Sequence, residues 1–178
     1  YHCVAFSGDG KLLASVGIDG AIKLWDMSGH AKVWAIESTP EQEKAIAEIV
    51  KQGGRVHILE IRRGRPTVSV DLGNSKVTDA GLQHLTGLTN LRELDLHSTD
   101  VTDAGLKHLQ GLTSLHSLDL RDTKVTGLGL EHLNNLPRLQ WLALDGASVT
   151  DAGLEHIKGL IALERLSLNC PQVTDAGV

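Results

Sequence analysis

Val77-Thr78-Asp79-Ala80-Gly81-Leu82 returns intact at Val101–Leu106 and Val149–Leu154, and altered to Val-Thr-Gly-Leu-Gly-Leu at Val125–Leu130. A further copy starts at Val173. The starts at 77, 101, 125, 149 and 173 lie 24 residues apart. A fixed period of that size means an array of stacked units, because one unit cannot bury its own apolar face.

The interior of the unit says what is stacked. With Val101 as position 1, Leu106, Leu109, Leu112, Leu115, Leu118 and Leu120 fall at positions 6, 9, 12, 15, 18 and 20. The next unit repeats them as Leu130, Leu133, Leu136, Leu139, Leu142 and Leu144. Positions 6 and 9 share a helical face, and positions 18 and 20 alternate as in a strand. Each unit is therefore expected to be a short helix followed by a short strand. Thr and Asp at positions 2 and 3 suit a helix start, where their side chains can take unpaired backbone N–H groups. Gly81, Gly105, Gly129 and Gly153 recur at position 5. A glycine inside a helix costs about 1 kcal/mol relative to alanine. Its recurrence predicts close approach between neighbouring helices, with a partly 3₁₀ first turn.

The second half of the unit reads L-x-x-L-x-L-x-x-T-x-V at Leu91, Leu94, Leu96, Thr99 and Val101. This resembles the leucine-rich repeat pattern L-x-x-L-x-L-x-x-N-x-L. The V-T-D-A-G-L half is similar to the F-box-type leucine-rich repeats and their bacterial relatives. Cys170-Pro171-Gln172-Val173-Thr174-Asp175 is similar to the cysteine-containing subtype, one residue short between leucine and cysteine. The position of the usual Asn is taken by Thr99, Thr123, Ala147 and Pro171. A hydroxyl can bond the loop backbone there; alanine and proline side chains cannot. The resemblance covers residues 53–178 and implies an α/β solenoid of parallel strands and short helices, cut short at its C-terminal end.

Ahead of the array, residues 38–52 are expected to form a linker and capping helix. Thr39 suits the N-cap, Pro40 the first helical position and Gln42 a capping box. Ile46, Ile49 and Val50 make an apolar stripe, and Gly53 ends the helix. Arg55–Ile61 alternates like a strand, Arg62-Arg63-Gly64-Arg65-Pro66 is a basic turn, and Val70 and Leu72 align with Leu94 and Leu96.

Residues 1–37 do not follow the period. V-A-F-S-G-D-G-K-L-L-A-S-V-G-I-D-G-A-I-K-L-W-D holds three short strands parted by turn signals at Gly8-Asp9-Gly10 and Asp19-Gly20. It resembles a WD repeat, one all-β blade of a β-propeller. Trp25-Asp26 matches the signature pair, Ser15, Asp19 and Trp25 match the internal hydrogen-bonding positions, and Val33–Glu37 suits a fourth strand. The expected Gly-His is absent, and His30 follows the Trp-Asp pair instead of preceding it. A propeller needs roughly four to eight blades. Further blades are expected upstream, and the chain, opening on Tyr1, is expected to be a fragment.

The bulk numbers narrow the function. Of 178 residues, 41% are hydrophobic and 22% charged, with a formal charge of −5. There is no basic run of the kind nucleic acid requires. No apolar stretch approaches the ~18 residues of a membrane span. Cys3 and Cys170 offer neither metal spacing nor a disulfide framework and lean toward a reducing, cytoplasmic setting, although both repeat types occur in several compartments. His84, His108, His132 and His156 recur at position 8. Such a column repeats at ~8–10 Å between helices and points one way, so it is not expected to converge on a metal.

No nucleophile constellation, phosphate loop or metal motif accompanies the acidic residues. Catalytic, cofactor-binding and metal-ligating residues are therefore expected to be absent. The resemblance implies a protein-interaction platform, with a partner on the concave strand face. That face is expected at positions 17, 19 and 21, with Glu93, Asp95, His97, Asp119, Arg121, Trp141, Asp145 and Arg165 as binding residues. Stacked Asp71, Asp95 and Asp119 would form an acidic ladder for a basic partner. The alternative is a regulatory segment of a larger enzyme, such as a bacterial kinase or redox protein, with its catalytic domain elsewhere.

Overall fold

The structure is a computed structural model that describes residues 3–6, 12–16, 22–26, 33–35, 40–62 and 65–175. Its centre is a six-stranded sheet in the order β10-β9-β8-β7-β6-β5. In chain order, β5 is Arg55–Arg62, β6 Arg65–Asp71, β7 Leu91–Asp95, β8 Ser117–Asp119, β9 Trp141–Ala143 and β10 Arg165–Ser167. From β6 to β10 the strands are parallel, and position 18 runs in register as Val70, Leu94, Leu118, Leu142 and Leu166. A 24-residue period produces this register because each unit crosses back over the same side of the sheet before the next strand begins.

The leucines at positions 6, 9, 12, 15, 18 and 20 of the second unit are fully buried, as are those of the first and third but for traces. They form one core running from Ala45 to Cys170. Valines at position 1 (Val77, Val101, Val125 and Val149) complete each layer.

The helical half differs from expectation in order. An α turn comes first, at Asp79–Leu82, Asp103–Leu106 and Asp151–Leu154, and a 3₁₀ segment follows at Gln83–Gly87, Lys107–Leu109 and Glu155–Ile157. The third copy has no α turn and is 3₁₀ over Leu128–Asn135. There Gly127 replaces the aspartate and takes a left-handed φ of 111°, so the helical segment begins after it.

The position-5 glycines are explained by contact. A Cβ on Gly129 would lie 2.6 Å from the Asp103 Cα, and one on Gly153 would lie 2.8 Å from the Gly127 Cα. At these two positions neighbouring helical turns touch backbone to backbone, whereas Gly81 and Gly105 face the side chains of Gln52 and Asp79.

The aspartates at position 3 also do more than cap. The Asp79 carboxylate accepts from the Thr102 amide at 2.8 Å and the Thr102 hydroxyl at 2.7 Å, one unit further on. Asp103 holds Thr126 in the same way, and Asp151 holds Thr174. Thr102 in turn accepts from the Ala104 amide of its own helix. Thr102 is thus a side-chain cap, Thr78 and Thr150 sit at the same position without a side-chain cap bond, and the aspartate is a clamp between units.

The cap at the front of the array forms as expected from Pro40: α1 runs Pro40–Lys51, while Thr39 lies outside the described residues. It ends in a Schellman arrangement, with Gly53 at φ 87° donating to Val50 and Gly54 donating to Ile49. β5 pairs antiparallel with β6, so the array starts with a hairpin whose Arg63-Gly64 tip lies outside the described residues.

Four more strands, β1 (Cys3–Phe6), β2 (Leu12–Val16), β3 (Ile22–Asp26) and β4 (Val33–Ala35), form a separate antiparallel sheet in chain order. Ser15 is buried in it, and β1 and β2 lie against β5. Asp19, His30, both glycine turns and the Trp25 side chain lie outside what is described.

Candidate functional site

Strand alternation sends odd positions away from the leucine core. Position 17 forms a row in which His57 pairs with Ser69, and Ser69 is followed by Glu93, Ser117, Trp141 and Arg165. Position 19 forms a second row: Asp71, Asp95, Asp119, Ala143 and Ser167. Between them lies a depression of about 370 Å³, bounded by His57, Ser69, Asp71, Glu93, Asp95, Ser117, Asp119 and Trp141. The two serines make it concave, since each is a small residue flanked by larger ones.

Of the eight residues expected on this face, Glu93, Arg121 and Arg165 are exposed, and Asp95, His97, Trp141 and Asp145 are half-buried. Glu93, Asp95, Asp119 and Trp141 meet at the depression. His97, Arg121, Asp145 and Arg165 do not line it. Asp119 departs from expectation, being only 4% exposed. Its oxygens accept from the Arg121 amide at 3.0 Å, from Nε at 2.9 Å and from Nη2 at 2.6 Å. The hydrogen bonds and negative charge of Asp119 raise the already high pKa of Arg121. Asp119 thus fixes Arg121 and is largely closed to a partner.

The other carboxylates are used less fully. Asp95 Oδ1 accepts from the His97 amide at 2.9 Å and meets His97 Nδ1 at 2.7 Å, while His97 Nε2 lies 2.6 Å from Asn74 Nδ2. Asp71 accepts from the Gly73 amide at 3.0 Å and faces Arg55 at 3.5 Å. Asp95, His97 and Asp119 place three potential ligand atoms within 4.8 Å of one another. They are the described residues best placed to hold a metal ion. A cation there would meet the Arg121 guanidinium already seated on Asp119 and would have to displace it.

On the opposite side of the array, the four position-8 histidines are all half-buried. His132 Nδ1 meets Gln110 of the preceding unit at 2.8 Å. The four do not converge on a shared centre among the described residues.

The family pattern described as "Leucine rich repeat" matches residues 89–149. Over that stretch the solenoid is similar to a leucine-rich repeat array. A second pattern, "WD domain, G-beta repeat", matches residues 2–26. Among solved structures, an internalin (inlF) of Listeria monocytogenes is 30% identical, over 58% of this chain and 29% of its own, with a TM-score of 0.49. Internalin C2 (inlC2) of the same organism is 25% identical, over 76% of this chain and 66% of its own, with a TM-score of 0.44. This chain spans less than two thirds of either. No curated protein is matched by the chain.

The leucine-rich repeat register alone placed Glu93, Asp95 and Trp141 on the open face. It did not bring in His57, which reaches the depression from the antiparallel strand β5. The signal was present: with Val56 and Ile58 turned inward, His57 between them must face outward.

Proposed function

We propose that this chain is a non-catalytic protein-interaction scaffold that docks a protein partner on the strand face of its leucine-rich repeats. The observation carrying this reading is that the sheet has one covered side and one open side. Helical turns seal the leucine side, while the other side holds a depression framed by a half-buried tryptophan and carboxylates. Repeat arrays present such extended surfaces, and tryptophan and arginine are enriched where binding energy concentrates. In this reading Glu93, Asp95, His97, Arg121, Trp141, Asp145 and Arg165 meet the partner, and Asp119 holds Arg121 in place.

The same proposal covers the division of the chain: residues 1–37 as one WD blade, 38–52 as linker and cap, and 53–178 as the solenoid. The chain-order antiparallel sheet β1-β2-β3-β4 and the WD match over residues 2–26 support the first of these. No described helix is long and apolar enough to cross a membrane, and the carboxylates around the depression disfavour a phosphate backbone there.

The test is affinity capture with the full chain beside a Glu93→Arg, Trp141→Ala variant, after circular dichroism has matched their folds. Asp119 is left intact because its loss would strand Arg121. A partner should be retained by the parent and lost by the variant. Equal capture by both would move the interface off this face.

A further inference from the structure

From the arrangement around Ser117, we infer that the partner segment is basic and that one of its lysine or arginine side chains seats in a slot over Ser117, between Glu93 and Trp141. This rests on the reading of the strand face as the docking surface and adds the chemistry of what docks there.

Glu93, Ser117 and Trp141 are direct neighbours in register across β7, β8 and β9. Strands lie ~4.8 Å apart, so the walls of the slot stand about 10 Å apart at the backbone. The small Ser117 side chain leaves that gap open, and the gap is part of the 370 Å³ depression. One wall is a carboxylate and the other an indole. A cation is attracted electrostatically by both: a guanidinium can pair with the carboxylate and lie against the ring. An acidic or purely apolar side chain would satisfy only one wall at most.

The charges around the slot point the same way. Four carboxylates border the depression, from Asp71, Glu93, Asp95 and Asp119. Arg55 pairs with Asp71, and Arg121 occupies Asp119. Asp95 meets His97 and lies within electrostatic reach of Arg121, whereas the Glu93 carboxylate, beside the slot, is in no ion pair among the described residues. Beyond Trp141 the next residue in the row is Arg165, so the acidic ground ends there and a basic segment gains nothing by extending further. The register therefore puts the cation on the β7 side of Trp141.

The experiment is a selection of displayed random peptides against the immobilised full chain, from a library with equal numbers of acidic and basic residues. Enriched peptides are re-measured by fluorescence anisotropy against the parent and the Glu93→Gln, Asp95→Asn, Trp141→Phe and Trp141→Ala variants. The inference expects enrichment in arginine or lysine. It expects a loss of about tenfold for Glu93→Gln or Trp141→Ala, a smaller loss for Trp141→Phe, and weakening as salt rises. Trp141→Phe and Glu93→Gln are conservative enough to keep the fold readable. Peptides that need Trp141 but carry no excess of basic residues would overturn the inference and leave the docking face standing. Peptides indifferent to all four variants would overturn both. Binding that requires added Zn²⁺ or Mn²⁺ would assign the carboxylates to a metal and also overturn the inference.

Discussion

At the scale of single residues, the array is decided by what fits between one turn and the next. Gly129 and Gly111 separate two roles for glycine. A methyl group on Gly129 would meet the Asp103 backbone, at 2.6 Å from Cα and 2.9 Å from the carbonyl oxygen. Neither atom can move without shifting the turn before it. Gly129→Ala is therefore expected to destabilise by ~1–3 kcal/mol, read from urea unfolding. A methyl group on Gly111 meets nothing within 4 Å, so Gly111→Ala should be neutral or stabilising by a few tenths to ~1 kcal/mol. Equal losses at both would mean that helix spacing is not what fixes position 5. Asp151 gives a second prediction at this scale. Hydrogen bonds from the Thr174 side chain and backbone lower its pKa below the ordinary 3.8. A depressed carboxylate contributes stability that is present above the unfolded pKa and fades as pH falls through the folded one. The Asp151–Thr174 clamp should thus hold at neutral pH and release in acid below the ordinary aspartate range. A carboxyl NMR titration with the Thr174 amide followed alongside checks this, and release near or above 3.8 would contradict it.

At the scale of the element, the four junctions between units are not alike. Asp79, Asp103 and Asp151 each clamp the threonine of the next unit, whereas Gly127 leaves Thr150 without a carboxylate. The third junction therefore lacks the pair of hydrogen bonds that each of the others has. The Thr150 amide should exchange with deuterium faster than those of Thr102 and Thr126, by about tenfold or more. Matched rates would mean that backbone contact between Gly127 and Gly153 replaces the clamp. The odd copy was visible in the sequence as V-T-G-L-G-L, but its consequence was not. A Thr-Asp pair reads locally as a cap, and only the stacked geometry reveals that the aspartate reaches 23 residues forward. The left-handed column Asn74, Ser98, Asp122 and Gly146 stayed hidden for a similar reason. Asparagine, serine, aspartate and glycine share a turn chemistry but no letter, so a search for identical residues passes over them. The strand register was plain, because leucine at positions 18 and 20 repeats without exception from Leu94 to Leu144. The candidate site was legible to the same extent: register gave the row, but not that Arg121 would cover Asp119.

At the scale of the whole molecule, each unit touches only its neighbours, and stability should follow as a sum of units and junctions. α1 takes the place of a helical turn at the front. The Glu41 carbonyl oxygen stands 3.2 Å from where a Cβ on Gly87 would be, and Ile46 is fully buried against the first unit. Two deletions of similar size test whether the array behaves as a line. Ile46→Ala empties space at one end, and Leu118→Ala empties space in the middle, where Leu94 and Leu142 both lean on it. Each should cost about 2–5 kcal/mol at its own layer. If coupling passes only between neighbours, Ile46→Ala frays α1, β5 and β6 and leaves the amides of β8 and β9 protected. Leu118→Ala would instead lower protection on both sides at once, because a central layer has two junctions to lose. Hydrogen exchange by mass spectrometry distinguishes the two patterns peptide by peptide. Uniform loss along the array from Ile46→Ala would mean that the sheet unfolds as one unit, and a partner docked over β7, β8 and β9 would then stabilise the cap as strongly as the strands it touches.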